Sequence, residues 1–240
     1  MDSLARAAEE QDILKIAKEL IGQLNIYSLK PISVSWATDV QVTLPDSEKT
    51  APEFLGMIKR EVPNGWCVFT WDRIILPVEM KGRLDPEDWR PLLASSLIYE
   101  EQLRNRRDLG FILLSTPVFV DAFGWWELLA VSIPASSIPV SLLLIDIAGL
   151  FAALALTGSL VMRFSRRLRL KADTLAAEHI GRETLERVLE KMKVLGLVDP
   201  YAGVGWNSGY LGSTEFMKGR PTLAERITNL NRALGTAIEK

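Results

Sequence analysis

Residues 92–103 read LLASSLIYEEQL, an apolar helical run that carries Ser95, Ser96 and Tyr99 on its inner side. Adjacent hydroxyls invite a nucleophilic reading, because a serine attacks an electrophilic centre once a neighbouring base takes its proton. Such bases are scarce here: the chain holds one histidine, His179, and one cysteine, Cys67. Lys171 would supply a Ser-Lys pair, but it belongs to a basic run that follows an apolar stretch, which explains it without catalysis. Nothing in the sequence ties His179 to either serine. His179 stands near Glu178 and Asp173, a set with a single imidazole; a histidine just before Gly181 is explained by the negative end of a helix dipole. Zinc hydrolases usually need at least two imidazoles, so one histidine narrows the available chemistry sharply. Cys67 cannot form an internal disulfide.

The elements that must position these residues are signposted. The stretch 1–24 repeats apolar residues at Ile13, Leu14, Ala17, Leu20, Ile21 and Leu24, the period of an amphipathic helix. Charges interrupt it, so it is not read as a signal peptide. Short β-like runs follow at 32–36 and 41–44, then a longer one at 66–77, bounded by Pro63-Asn64-Gly65 and Pro77; together they predict a small sheet ending in a long strand. At 85–107 a helix opens with Asp85 as cap, Pro86 in the first turn, and Glu87 and Asp88 at the positive end of the dipole. Helices are predicted up to Gly181 and over 182–197, and Thr222 with Glu225 forms a capping box for a last one. The Gly-rich stretch 198–220 between them is long for a connection.

Composition changes at residue 111. The stretches 111–133 and 137–162 are each about as long as a spanning helix requires. Arg104, Arg106 and Arg107 precede the pair, Arg163, Arg166, Arg167, Arg169 and Lys171 follow it, and the turn between them is uncharged. Positive flanks stay cytoplasmic, so the expectation is a two-helix transmembrane hairpin, with the bulk of the chain and both termini on the cytoplasmic side. Asp121, Glu127 and Asp146 would then be intramembrane acids that need a partner helix, water or one another. Gly149 and Ala153 form a small-xxx-small pair through which another helix can approach closely. Membrane lipids and a membrane-protein partner or homo-oligomer are therefore expected. With 28 basic against 30 acidic residues there is no global attraction to nucleic acid, and none is expected as a partner.

The order of parts carries a resemblance. The stretches IILPVEMKGRLDPEDWRPLLASSLIYEEQLRNRRD, RRLRLKADTLAAEHIG and GRPTLAERITNL, with the apolar region between the first two, resemble the integral-membrane M48 metallopeptidases, the class containing the heat-shock protease HtpX and the CAAX prenyl proteases. The likeness covers most of residues 10–232 and rests on the order and spacing of the three stretches. It implies a mainly helical α+β, zincin-like peptidase domain with a small β-sheet and the inserted transmembrane hairpin. The peptidase domain would be divided into 1–110 and 164–240 around a hairpin at 111–163.

In that family the central helix carries His-Glu-x-x-His, which sets two zinc ligands on one helix face with a glutamate that activates water. The resemblance puts Ser95 and Tyr99 at the histidine positions and Ser96 at the general base. The third ligand, a glutamate four residues before a retained aspartate, becomes Arg169 before Asp173. A guanidinium stays protonated and repels zinc, so Arg169 is expected to fill the metal's place by hydrogen-bonding Ser95, Ser96, Tyr99 or Glu100. The implied protein is a pseudopeptidase with neither zinc nor another cofactor and no catalytic residue, acting as a binding, scaffold or accessory subunit. An active zinc metallopeptidase with non-standard ligands is the alternative. In the resembled enzymes an edge strand grips an extended peptide, which makes Trp66, Phe69 and Trp71 candidate pocket residues.

Overall fold

The computed structural model describes residues 2–42, 58–70, 72–103, 105–106, 109–110, 112–113, 116, 140–197 and 220–235. Helix α1 (Asp2–Gln23) leads into strands β1 (Ser33–Ala37) and β2 (Asp39–Val42). Strands β3 (Ile58–Glu61), β4 (Val68–Phe69) and β5 (Arg73–Pro77) follow, then helix α2 (Trp89–Ile98). Three further helices are described: α3 (Val140–Ile180), α4 (Arg182–Val194) and α5 (Leu223–Gly235).

Strand β5 is central in a three-stranded sheet of order β1-β5-β4, parallel to β1 and antiparallel to β4; β2 and β3 form a separate antiparallel pair. The long strand expected over 66–77 is a hairpin. Thr70 N–H donates to the Arg73 carbonyl at 2.9 Å, closing a turn that its lack of Gly, Pro or Asn had hidden. β5 runs Ile74, Ile75, Leu76, all buried, as a strand covered on both faces does.

Helix α2 is the hub. From Trp89 to Ile98 only Arg90 escapes full burial, so the helix has no solvent face and its two serines must find partners inside. α1 covers it with Ile13, Ile16, Ala17 and Leu20; α3 contributes Leu168, Ala172, Ala176 and Ala177, and α4 contributes Leu185, Val188, Leu189 and Met192. Its entry is held by a reciprocal cap between Asp85 and Asp88 and by Lys191, whose Nζ reaches the two carboxylates at 2.7 and 2.5 Å. Beyond Ile98 the chain widens into a π-helical turn, Tyr99–Leu103.

The inserted transmembrane hairpin is corrected. Among the described residues no helix is long and apolar enough to cross a membrane, and the fold is mainly helical with a small three-stranded sheet. The sequence reads residues 137–162 as a span from their length, apolar composition and basic flanks. From Val140 onward they are continuous with the basic stretch in one helix, α3, and its C-terminal part packs on protein through Val161, Ser165 and Leu168. Apolar composition cannot separate residues that face lipid from residues that face a core. The expected partner span, 111–133, falls almost wholly outside the described residues, as does the Gly-rich stretch 198–219.

Candidate functional site

Four segments distant in sequence meet beside α2. Ser95, fully buried, donates from Oγ to Asp173 Oδ1 at 2.7 Å. Asp173, equally buried in α3, receives Arg226 of α5 through two bonds of 2.8 Å, Nε to Oδ2 and Nη2 to Oδ1. This fork-on-carboxylate geometry is the strong form of an ion pair and consumes both carboxylate oxygens. The remaining arm of Arg226, Nη1, donates to the Gly65 carbonyl at 3.2 Å, which ties the loop before β4 to the same centre.

Gly65 is required there by two constraints. Its φ is +79°, and a Cβ would stand 2.7 Å from Met192 Cε and 3.1 Å from Arg226 Nη1. Beyond it, Ser96 Oγ accepts from the Cys67 N–H at 2.9 Å. The two serines therefore divide their work: Ser95 faces α3 and Ser96 holds the chain entering the sheet. Burial pushes the Cys67 thiol up to about 12, against the opposing pull of the Ser96 hydroxyl and the Arg226 charge. Cys67 is consequently a neutral, inert thiol.

Arg169 lies in the same centre. It is buried, and its guanidinium carbon stands 4.6 Å from the Tyr99 ring centroid and 4.8 Å from that of Trp66. Arg226 meets Trp66 as well, at 4.4 Å, and Trp66 and Tyr99 contact edge-to-face at 6.1 Å. Planar guanidinium on aromatic faces is a favourable pairing when water is excluded. The structure thus assembles Ser95, Ser96, Tyr99, Arg169, Asp173 and Trp66 in one buried cluster. Arg169 stacks on Tyr99, the first residue of the π-helical turn after α2.

This donor set does not fit a zinc ion. Two guanidiniums repel a cation, the Asp173 carboxylate is taken by Arg226, and the hydroxyls of Ser95 and Ser96 are engaged. Among the described residues no three His, Cys, Asp or Glu side chains cluster in a way that could hold a metal. A hydrolytic serine is equally poorly served. Ser95 donates to a carboxylate, but both oxygens of that carboxylate are already engaged by Arg226.

The other expected residues lie elsewhere. Phe69 is buried beside Trp66, so both are core side chains rather than walls of an open pocket, and Trp71 lies outside the described residues. So do Asp121 and Glu127. Asp146 stands in the first turns of α3, where only the backbone is described. His179 is exposed at the end of α3 and Lys171 is exposed on its side, both away from the buried serines. Arg226, Gly65 and Cys67 were not singled out as members of the site. The signal for Arg226 was present: it shares the inward face of α5 with Ile227 and Leu230 and is 1% exposed, an unusual position for a charge.

No family model, curated protein or solved structure matches the chain.

Proposed function

We propose that the chain is a degenerate, catalytically inactive member of the M48 metallopeptidase type, associated with the cytoplasmic face of a membrane as a binding, scaffold or accessory subunit. One observation carries the reading. The residues at the positions that would hold metal and activate water are engaged inside the fold: Ser95 with Asp173, Ser96 with the Cys67 N–H, and Arg169 with the rings of Tyr99 and Trp66. A catalytic centre keeps groups available to a substrate, whereas here Ser95, Asp173 and Arg226 are each at most 1% exposed.

Membrane association is supported by apolar side chains left open to solvent, Leu109, Ile112 and Leu113 near α3 and Phe151, Leu156 and Leu160 on it. Side chains of that size, grouped and exposed, mark a surface that another apolar phase covers.

Metal analysis of the purified full chain, together with an unfolded-casein cleavage assay, tests inactivity. Substoichiometric zinc and no chelator-sensitive cleavage are expected; stoichiometric zinc with cleavage abolished by a chelator would overturn the proposal. Gentle detergent extraction followed by identification of co-purifying chains tests the subunit role. Recovery at fixed stoichiometry with one partner supports it, and a lone monomer counts against it.

A further inference from the structure

We infer that the exposed stripe of α3 binds anionic lipid headgroups, with Arg163, Arg167 and Lys171 as the charge-bearing residues. This rests on the membrane association proposed above and names the lipid class. Leu156, Leu160, Arg163, Arg167 and Lys171 follow at steps of four, three, four and four residues, so all five fall within about 80° of the helix surface at about 100° per residue. All five are exposed. Gly149 and Ala152 extend the stripe toward the helix start, and a Cβ added at Gly149 would meet nothing within 4 Å.

The stripe changes character along its length. It is apolar through Leu160 and basic from Arg163, and between Asp146 and Asp173 the chain has no acidic residue. Gly149 to Leu160 rises about 16 Å at about 1.5 Å per residue, close to one leaflet's share of a hydrocarbon core about 30 Å thick. Arg163 and Arg167 then fall at headgroup depth. Lys171 follows about 6 Å further on, within a Debye length of a charged surface. A helix that separates apolar and basic residues end to end suits an oblique, apolar-end-first approach to one leaflet.

The second strand of the surface lies beside it. A Cβ added at Gly110 would stand 2.5 Å from the Phe164 ring, so the chain at Gly110 presses against α3 at the apolar-to-basic boundary. Beside Gly110 in the chain stand exposed Leu109, Ile112 and Leu113, and Arg106, also exposed, precedes them by one turn. Arg166 is committed to Glu225 of α5 and Arg169 to the buried cluster, whereas among the described residues no ion pair holds Arg163, Arg167 or Lys171. Charge complementarity thus selects a membrane rich in phosphatidylglycerol or phosphatidylserine over a neutral one.

Flotation of the purified full chain, diluted from detergent onto preformed vesicles, tests this. Phosphatidylcholine vesicles are compared with vesicles containing phosphatidylglycerol, for the unaltered protein and for a variant combining Arg163→Gln, Arg167→Gln and Lys171→Gln. The unaltered protein is expected to favour anionic vesicles by about tenfold or more at low salt, since each basic residue near such a surface contributes about fivefold. The variant should lose that preference and still float on neutral vesicles. Preference retained by the variant, or absent from the unaltered protein while it floats equally on both, overturns the inference and leaves membrane association standing. Flotation on neither vesicle overturns membrane association as well. Should the triple variant misfold by circular dichroism, a salt series on the unaltered protein decides. Preference that fades with salt supports the inference, and preference that survives high salt overturns it.

Discussion

Two of the ion pairs around α2 differ in almost everything but sign. Asp173 and Arg226 link α3 to α5 in the interior, with side chains 0% and 1% exposed. Lys191 links α4 to the entry of α2 at the surface, where the Lys191 side chain is 36% and that of Asp85 80% exposed. The interior pair is held by geometry. It has two parallel bonds, a third to the Gly65 carbonyl and a fourth from Ser95, so no charge is left without a hydrogen-bond partner. The surface pair is held by attraction that water and salt weaken. Breaking the first strands a charge away from water, and breaking the second returns both groups to it.

Replacing one interior partner is the largest test of that contrast. Asp173→Leu should destabilise the fold by about 3–5 kcal/mol, because Arg226 is then buried without its counter-ion. Adding Arg226→Met should recover much of the loss. A denaturant midpoint for each variant measures this, and a single variant as stable as the unaltered protein would break the comparison.

Gly65→Ala comes next. A left-handed conformation costs an L-residue roughly 1–2 kcal/mol, and Met192 Cε must also move to admit the methyl group. Thermal unfolding of Gly65→Ala beside Gly82→Ala sharpens the point. Gly82 also has positive φ, at +68°, but open space around its would-be Cβ, so it should lose less. Ser95→Ala removes one hydrogen bond to a charged acceptor and should cost about 1.5–3 kcal/mol in the same assay.

Cys67 reports on the interior region without altering it. At pH 8 the native thiol should not react with a disulfide reagent, because burial holds it at about 12, and it should react once denaturant exposes it. Rapid native labelling would show that the cluster opens.

Lys191→Met should give the smallest change, and its signature is in pH. The hydrogen bond from Lys191 lowers the Asp85 carboxyl below its ordinary 3.8, so this stabilisation is present above that value and fades as pH falls through the depressed one. Lys191 is raised above 10.5, chiefly by its bond to Asp85, so its contribution is complete below that value and fades at higher pH. Unfolding curves of the variant and the unaltered protein should therefore converge only at the acid and alkaline extremes. A difference that does not shrink as pH falls below the ordinary 3.8 of Asp85 would contradict the assignment.

Local signals were legible and distant ones were not. The cap at Thr222 is observed as expected, with Glu225 N–H donating to Thr222 Oγ1 at 3.2 Å and Thr222 N–H to Glu225 Oε2 at 3.0 Å. The opening of α2 near Asp85 and the end of α3 before Gly181 also follow from neighbours in the chain. The hairpin closed by Thr70 and Arg73 is hard to see in the sequence because the stretch between β4 and β5 holds no Gly or Pro. The hairpin at 111–163 was over-read because hydropathy records what a segment is made of and not what it packs against.

Ser95, Ser96 and Arg169 could be recognised as odd from the sequence, since hydroxyls inside an apolar helix and a charge one helical turn before an aspartate need partners wherever they are buried. Their partners could not. Asp173 and Arg226 are 53 residues apart and Arg226 and Gly65 are 161 apart, distances that helical periodicity cannot bridge. The sequence by itself determined which helices form and which of their residues demand satisfaction, because caps, periodicity and burial propensity act over a few residues. Only the packing of α3, α4 and α5 around α2 decided that those demands are met by one another, which leaves a closed polar core where an enzyme of the resembled kind would keep an open one.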